Sequence, residues 1–178
     1  MNLPNKITII RICLVPFFVV FLLLTPKVSY FKWIALFLFI IASATDYIDG
    51  RIARSRGLVT NFGKFMDPLA DKLLVCSALI CLIPLGLIPT WVVLITVARE
   101  FIISGFRLVA AEKGIVLAAS KMAKAKTATQ MVMIIVLIMD LGFLHIPAQI
   151  LIYLSLILTV ASLTEYLVKN AHILKGEM

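Results

Sequence analysis

No residue between Lys72 and Arg99 carries a charge, and the middle of that stretch holds Pro84, Gly86 and Pro89. About 20 apolar residues in a helix cross a hydrocarbon core ~30 Å thick. The stretch is too long for one comfortable span, and its prolines and glycine divide it into a hairpin of two. Four further uncharged stretches lie between Arg11 and Lys27, Lys32 and Asp46, Lys126 and Asp140, and Asp140 and Glu165. The pattern predicts six helices, at 5–25, 31–54, 62–83, 89–111, 122–142 and 147–168. With 62% apolar and 15% charged residues and a mean hydropathy of +1.10, the chain has no room for a soluble domain. The expected fold is all-α: a polytopic membrane protein with six transmembrane helices, one domain over residues 1–178.

The basic residues set the expected orientation. There are 17 Lys and Arg against 9 acids, a net +8. In a soluble chain that excess would raise the question of nucleic acid, but here topology accounts for it and no nucleic-acid partner is expected. With the N-terminus inside, the outer connections 26–32, 83–89 and 140–147 hold only Lys27 and Lys32. Both termini are therefore expected in the cytoplasm. Thr25-Pro26-Lys27 follows the apolar run Ile12–Leu24 and offers no small-residue cleavage site, so that run is expected to stay as the first span. Residues 3–11 mix Leu3, Ile7 and Ile10 with Asn5, Lys6 and Arg11, as an interfacial lead-in does. Cys13, Cys76 and Cys81 lie inside apolar spans without partners at metal-ligand spacing, and read as small packing residues. Trp33 and Trp91 suit an aromatic belt at outer span ends. His145 and His172 fall in an outer loop and in the tail.

The chemistry lies in the acids. Of five aspartates, four are Asp46, Asp49, Asp67 and Asp71. Spacings of three and four put each pair on one side of its helix. From Lys72 to Pro84 is too short to span the core, so the third helix must begin near Phe62 and carry Asp67 and Asp71 in its first turns. The second helix carries Asp46 and Asp49 near its end. Both pairs thus fall at the cytoplasmic ends of helices 2 and 3. Four carboxylates at one depth repel one another and are costly in a membrane unless cations neutralise them. Oxygen-only ligands suit Mg2+ or Mn2+, and four carboxylates can hold two ions. Salt bridges to Arg51, Arg54, Arg56, Lys64 and Lys72 are the alternative. Against it, Gly50, Ala53, Gly57 and Gly63 leave open backbone where a bulky phosphate could approach.

Asp46-x2-Asp49-Gly50-x2-Ala53-Arg54-x8-Gly63-x3-Asp67-x3-Asp71 fills all eight fixed positions of the motif D-x2-D-G-x2-A-R-x8-G-x3-D-x3-D. In this the chain resembles the CDP-alcohol phosphatidyltransferases, integral membrane enzymes with six transmembrane helices. The resemblance implies transfer of a phosphatidyl group from CDP-diacylglycerol to an alcohol, with CMP leaving. It implies Asp46, Asp49 and Asp67 as metal ligands, and Asp71 as both ligand and general base. Gly50, Arg54 and Thr60 would contact the CDP moiety. Asn5, Thr8 and Arg11 resemble the family's N-terminal nucleotide-side element.

The motif does not name the acceptor. Arg99 and Arg107, eight residues apart, share a helix face. Lys121, Lys124 and Lys126 crowd the start of the fifth helix. Such cations suit an acceptor bearing phosphate. For Arg99 the alternative is an ion pair with a motif aspartate or Glu100, and for the lysines it is ordinary topology, the reading favoured for Lys121. Arg99, Arg107 and Lys124 are the expected phosphate contacts. The stretches 2–11, 99–107 and 126–130 resemble the branch of the family that uses sn-glycerol 3-phosphate in the bacterial cytoplasmic membrane. Phosphatidylglycerol, inositol phosphate or serine are the competing acceptors. Beyond these substrates and membrane lipid, a homodimer is open to such a chain. An ion path through the aspartates is disfavoured, because it would spread ionisable groups through the membrane depth.

Overall fold

The computed structural model describes the backbone of residues 3–55, 61–112 and 120–174 and the side chains of residues 7–45, 66, 69–112 and 120–170. Among the described residues the regular structure is helical throughout. The α-helices are α1 (Leu3–Leu23), α2 (Phe31–Ser55), α3 (Asn61–Leu82), α4 (Thr90–Glu112), α5 (Lys121–Met139) and α6 (His145–Leu174), with a 3-10 turn at Gly142–Leu144. Packing divides the chain into two compact units, Met1–Leu87 with Leu137–Asp140, and Ile88–Val136 with Leu141–Met178.

In the first unit α1 packs on both α2 and α3, and α2 on α3. Phe18, Leu22, Phe39, Leu74, Leu79 and Leu82 fill the interior. Ala35, Ala42 and Ala78 are fully buried, and such small side chains let helix backbones approach closely. The Phe18 and Phe39 rings meet at 5.7 Å between centroids, and Phe21 stands edge-on to Phe31 at 5.4 Å. Phe39→Ala should open a cavity that neighbouring side chains cannot refill, at a cost of about 3 kcal/mol. A fall in the midpoint of thermal unfolding in detergent would register it. The exposed surface carries Ile10, Phe17, Val20, Phe37 and Ile80, as a helix bundle facing lipid would.

α3 ends where Pro84 and Gly86 led one to expect. Gly86 takes φ +71°, its N–H donates to the Ile83 carbonyl at 2.9 Å, and the Leu87 N–H donates to the Leu82 carbonyl at 3.2 Å. That pair of bonds with a left-handed glycine is a Schellman termination.

The second unit pairs α4 with α6. α4 buries Val92, Val93, Thr96, Arg99, Ile103, Phe106 and Ala110, a helical stripe. Ile103, Phe106 and Ala110 cluster with Tyr166 of α6, flanked by Leu163 and Leu167, and the Phe106 and Tyr166 rings meet edge to face at 5.6 Å. Ser120 caps α5, its hydroxyl oxygen accepting from the Ala123 N–H at 3.1 Å.

Two ends fall more than two residues from expectation, the last residues of α5 and of α6. α5 stops at Met139 rather than 142, because Asp140 turns to φ 42°, a left-handed position that short polar side chains tolerate and a hydropathy pattern does not register. α6 runs from His145 to Leu174 rather than 147–168. Its last turns are held by the Lys169–Glu165 pair at 2.5 Å and by the Asn170 amide donating to the Tyr166 carbonyl at 2.8 Å, with no proline or glycine between Pro147 in its first turn and Gly176 to end the helix. Among the described residues, Lys121–Met139 and Gly142–Asn170 are long and apolar enough to cross a membrane.

Candidate functional site

Both aspartate pairs fall on unbroken helix: Asp46 and Asp49 in α2, Asp67 and Asp71 in α3. The connections 24–30 and 56–60 are too short to return along helices of this length, so α1, α2 and α3 run alternately up and down. The start of α1, the end of α2 and the start of α3 thereby share one end of the first unit. That end gathers both aspartate pairs with Asn5, Thr8, Gly50 and Arg54. Thr8 and Arg11, one turn apart on α1, are fully buried, and each has a polar or ionic partner. Asp71 is half-buried and also partnered. The side chains of Asn5, Asp46, Asp49, Arg54 and Asp67 and the burial of Gly50 lie outside the described residues, as does all of Thr60.

The donor set fits a hard divalent ion. It is four carboxylates, without thiolate or imidazole, carried by two continuous helices that pack on each other in one unit. Among the described residues no three His, Cys, Asp or Glu gather, but three of the four aspartates stand outside that set.

The second unit holds the cations. Arg99 is 5% exposed and Lys126 1%. The Glu100 carboxylate joins them: its Oε1 accepts from Arg99 Nη1 at 3.0 Å and from Lys126 Nζ. Arg99 Nη2 donates to Ser162 Oγ on α6 at 3.1 Å, and that hydroxyl donates to the Thr159 carbonyl at 3.1 Å. The two other expected phosphate contacts stand apart from this buried group. Arg107 is exposed, its guanidinium 5.9 Å from the Tyr166 ring centroid, a cation–π contact that steadies it over α6. Lys124 is exposed near the start of α5, as is Lys121. Of the sequence alternatives for Arg99, pairing with Glu100 is the one present.

Ser162 escaped sequence reasoning, although a signal for it exists. Ser155, Thr159, Ser162 and Tyr166 recur at steps of four, three and four in an otherwise apolar helix, and all are buried. That is a polar stripe on one face. Gln130, one turn after Lys126, is also buried, and its Nε2 lacks a hydrogen-bond partner among the described residues.

Residues 1–161 match the family model described as CDP-alcohol phosphatidyltransferase. The chain belongs to the CDP-alcohol phosphatidyltransferase family. It is 44% identical, over 98% of its length and 97% of the relative's, to a protein of Bacillus subtilis named CDP-diacylglycerol–glycerol-3-phosphate 3-phosphatidyltransferase. A Haemophilus influenzae protein of the same name is 38% identical, covering 93% of this chain and 91% of the relative. A probable phosphatidylglycerophosphate synthase of Mycobacterium tuberculosis is 36% identical, covering 94% and 81%. As a CDP-alcohol phosphatidyltransferase the chain is a membrane enzyme, helical in the regular structure of its described residues.

Proposed function

We propose that this chain transfers the phosphatidyl group of CDP-diacylglycerol to sn-glycerol 3-phosphate, releasing CMP and giving phosphatidylglycerophosphate. The carrying observation is the complete aspartate motif on two packed helices, in a chain matched along nearly its whole length by relatives that bear the name of this activity. An oxygen of the acceptor's free hydroxyl attacks the phosphorus bonded to the diacylglycerol, a P–O bond forms, and the bond to the CMP phosphate breaks. The hydroxyl proton passes to the Asp71 carboxylate, which needs to be ionised and within hydrogen-bond reach. Mg2+ or Mn2+ held by Asp46, Asp49, Asp67 and Asp71 would neutralise the pyrophosphate and the leaving charge. Gly50, Arg54 and Thr60, with Asn5 and Thr8, bind the nucleotide. Arg107 and Lys124, both exposed, hold the acceptor's phosphate together with Arg99, which is buried on α4.

In this reading all six helices span a bacterial cytoplasmic membrane. The shortest, α5, has 19 residues, about 28 Å of helix, close to the hydrocarbon thickness. The basic residues then put both termini and the aspartates at the cytoplasmic face, where soluble glycerol 3-phosphate and CMP come and go.

CMP release from CDP-diacylglycerol in mixed micelles, with one acceptor supplied at a time, tests the assignment. Glycerol 3-phosphate should support turnover, while glycerol, serine, inositol phosphate and phosphatidylglycerol should not. Turnover with one of these and none with glycerol 3-phosphate overturns it.

A further inference from the structure

We infer that Arg11 is a positioning residue of the aspartate site: its guanidinium pairs with the Asp46 carboxylate across the packing of α1 on α2, and so holds the first acid of the motif in place before any cation reaches it. The metal side of this inference rests on the reading of Asp46 as a ligand given above. The pair itself rests on burial and helix register.

Arg11 is 1% exposed and has a polar or ionic partner. A buried guanidinium is costly without a counter-charge. The acids of its unit are Asp46, Asp49, Asp67, Asp71 and Asp140. Asp140 is exposed, which leaves the aspartates of the motif.

Register singles out Asp46. On α1 the buried residues Thr8, Arg11, Val15, Phe18 and Leu22 recur at steps of three and four, a single stripe that runs on through Pro16. On α2 Ala35, Phe39 and Ala42 are buried at the same steps, and the next position of that series is Asp46. The Phe18 and Phe39 rings meet between these two helices, which run in opposite directions. Arg11 lies seven residues before Phe18, and Asp46 seven residues after Phe39. Both are therefore displaced from the ring contact toward the shared end of the unit, by about 10 Å. Seven residues turn a helix through about 700°, within about 20° of two full turns. Arg11 thus keeps the side of α1 that Phe18 presents to α2, and Asp46 takes the register position of Phe39 on α2. Packed helix axes about 8–10 Å apart lie within the joint reach of an arginine and an aspartate.

Such a pair answers a problem that the motif creates. Four carboxylates at one end repel one another. A fixed guanidinium offsets part of that charge, and a carboxylate that accepts from it through one oxygen keeps the other for a metal ion.

The test is the midpoint of thermal unfolding of the full chain in detergent, in EDTA and in Mn2+, for Arg11→Met, Asp46→Asn and the double variant, with Mn2+ binding followed by electron paramagnetic resonance. Removing one partner of a buried pair should lower the EDTA midpoint by roughly 6–20 °C in either single variant. The double variant leaves neither charge alone and should recover at least half of that loss. In Mn2+ the loss for Arg11→Met should shrink by half or more, because the ion supplies the counter-charge that Asp46 has lost. Arg11→Lys should lie between Arg11→Met and wild type. Single losses that simply add in the double variant overturn the inference, as does recovery by Asp71→Asn in place of Asp46→Asn. So does an unchanged EDTA midpoint with a raised KM for CDP-diacylglycerol, which would make Arg11 a nucleotide contact. In protein that binds Mn2+, an Arg11→Met loss of equal size with and without the ion refutes the positioning role. If Arg11→Met yields no monodisperse protein, the double variant decides: a midpoint near wild type supports the pair, and failure to purify refutes it. Wild-type protein that binds no Mn2+ refutes the metal reading alone, and the EDTA comparison still decides the pair.

Discussion

Asp71→Asn should cut CMP release by about a thousandfold or more while divalent-metal and CDP-diacylglycerol affinities stay within several-fold of wild type. General-base assistance contributes typically ~10²–10⁴. The amide keeps the size of the carboxylate and one acceptor oxygen but cannot take up the acceptor's proton. Asp71 is well placed for the distinction, being half-buried on α3 and one turn beyond Asp67. Asp46→Asn should act differently, weakening metal affinity first and turnover only as a result. Calorimetric titration with Mg2+, or Mn2+ binding followed by electron paramagnetic resonance, separates the two without relying on activity. If both variants lose metal binding equally, Asp71 has no distinct role as base.

Removing the exposed cations should give the next largest effect. Hydrogen bonds to charged groups contribute about 1.5–3 kcal/mol, or roughly tenfold to a hundredfold in affinity. Arg107→Ala and Lys124→Ala should each raise KM for glycerol 3-phosphate by that factor and leave KM for CDP-diacylglycerol unchanged. Arg107→Lys should recover only part of the loss, since an ammonium cannot reproduce the guanidinium's planar fork. Tyr166→Leu, which removes the ring that Arg107 rests on, should show a smaller rise in the same constant. Lys121→Ala serves as control: exposed and three residues before Lys124, it should leave both constants as they are. A KM that moves for the lipid substrate rather than the acceptor would assign these cations to the pyrophosphate instead.

The helices were legible because charge and proline bound them sharply. Lys72, Pro84 and Arg99 bracket α3 and the beginning of α4, and the ends in the structure fall within two residues of those expected. The misses came where a backbone angle or a side-chain pair decided the end: Asp140 at φ 42° cuts α5 short, and Glu165 with Lys169 carries α6 onward. The aspartate pairs could be read because their partners are three and four residues away, within one helix. The Glu100–Lys126 and Arg99–Ser162 contacts join residues 26 and 63 apart, and no local periodicity reports such a meeting. Lys126 therefore looked like one more lysine of a basic cluster, although it is the buried one and Lys124 the exposed one.

In the six-span reading proposed above, the buried contacts of Arg99, Glu100 and Lys126 have a consequence for how the chain is made. Arg99 and Glu100 occupy the tenth and eleventh positions of the 23 in α4, near its middle. Charges at the centre of a helix entering a bilayer through the translocon cost about 2.5–3.5 kcal/mol each. As a spanning helix α4 would be a reluctant segment when it emerges from the ribosome, with a guanidinium whose partner on α6 has yet to be synthesised. Lys126 arrives with α5 and Ser162 only with α6. In that reading the polar partners of α4 are complete only once its last helix has been made, and a nascent chain cut short before Ser162 leaves the Arg99 guanidinium without its α6 partner.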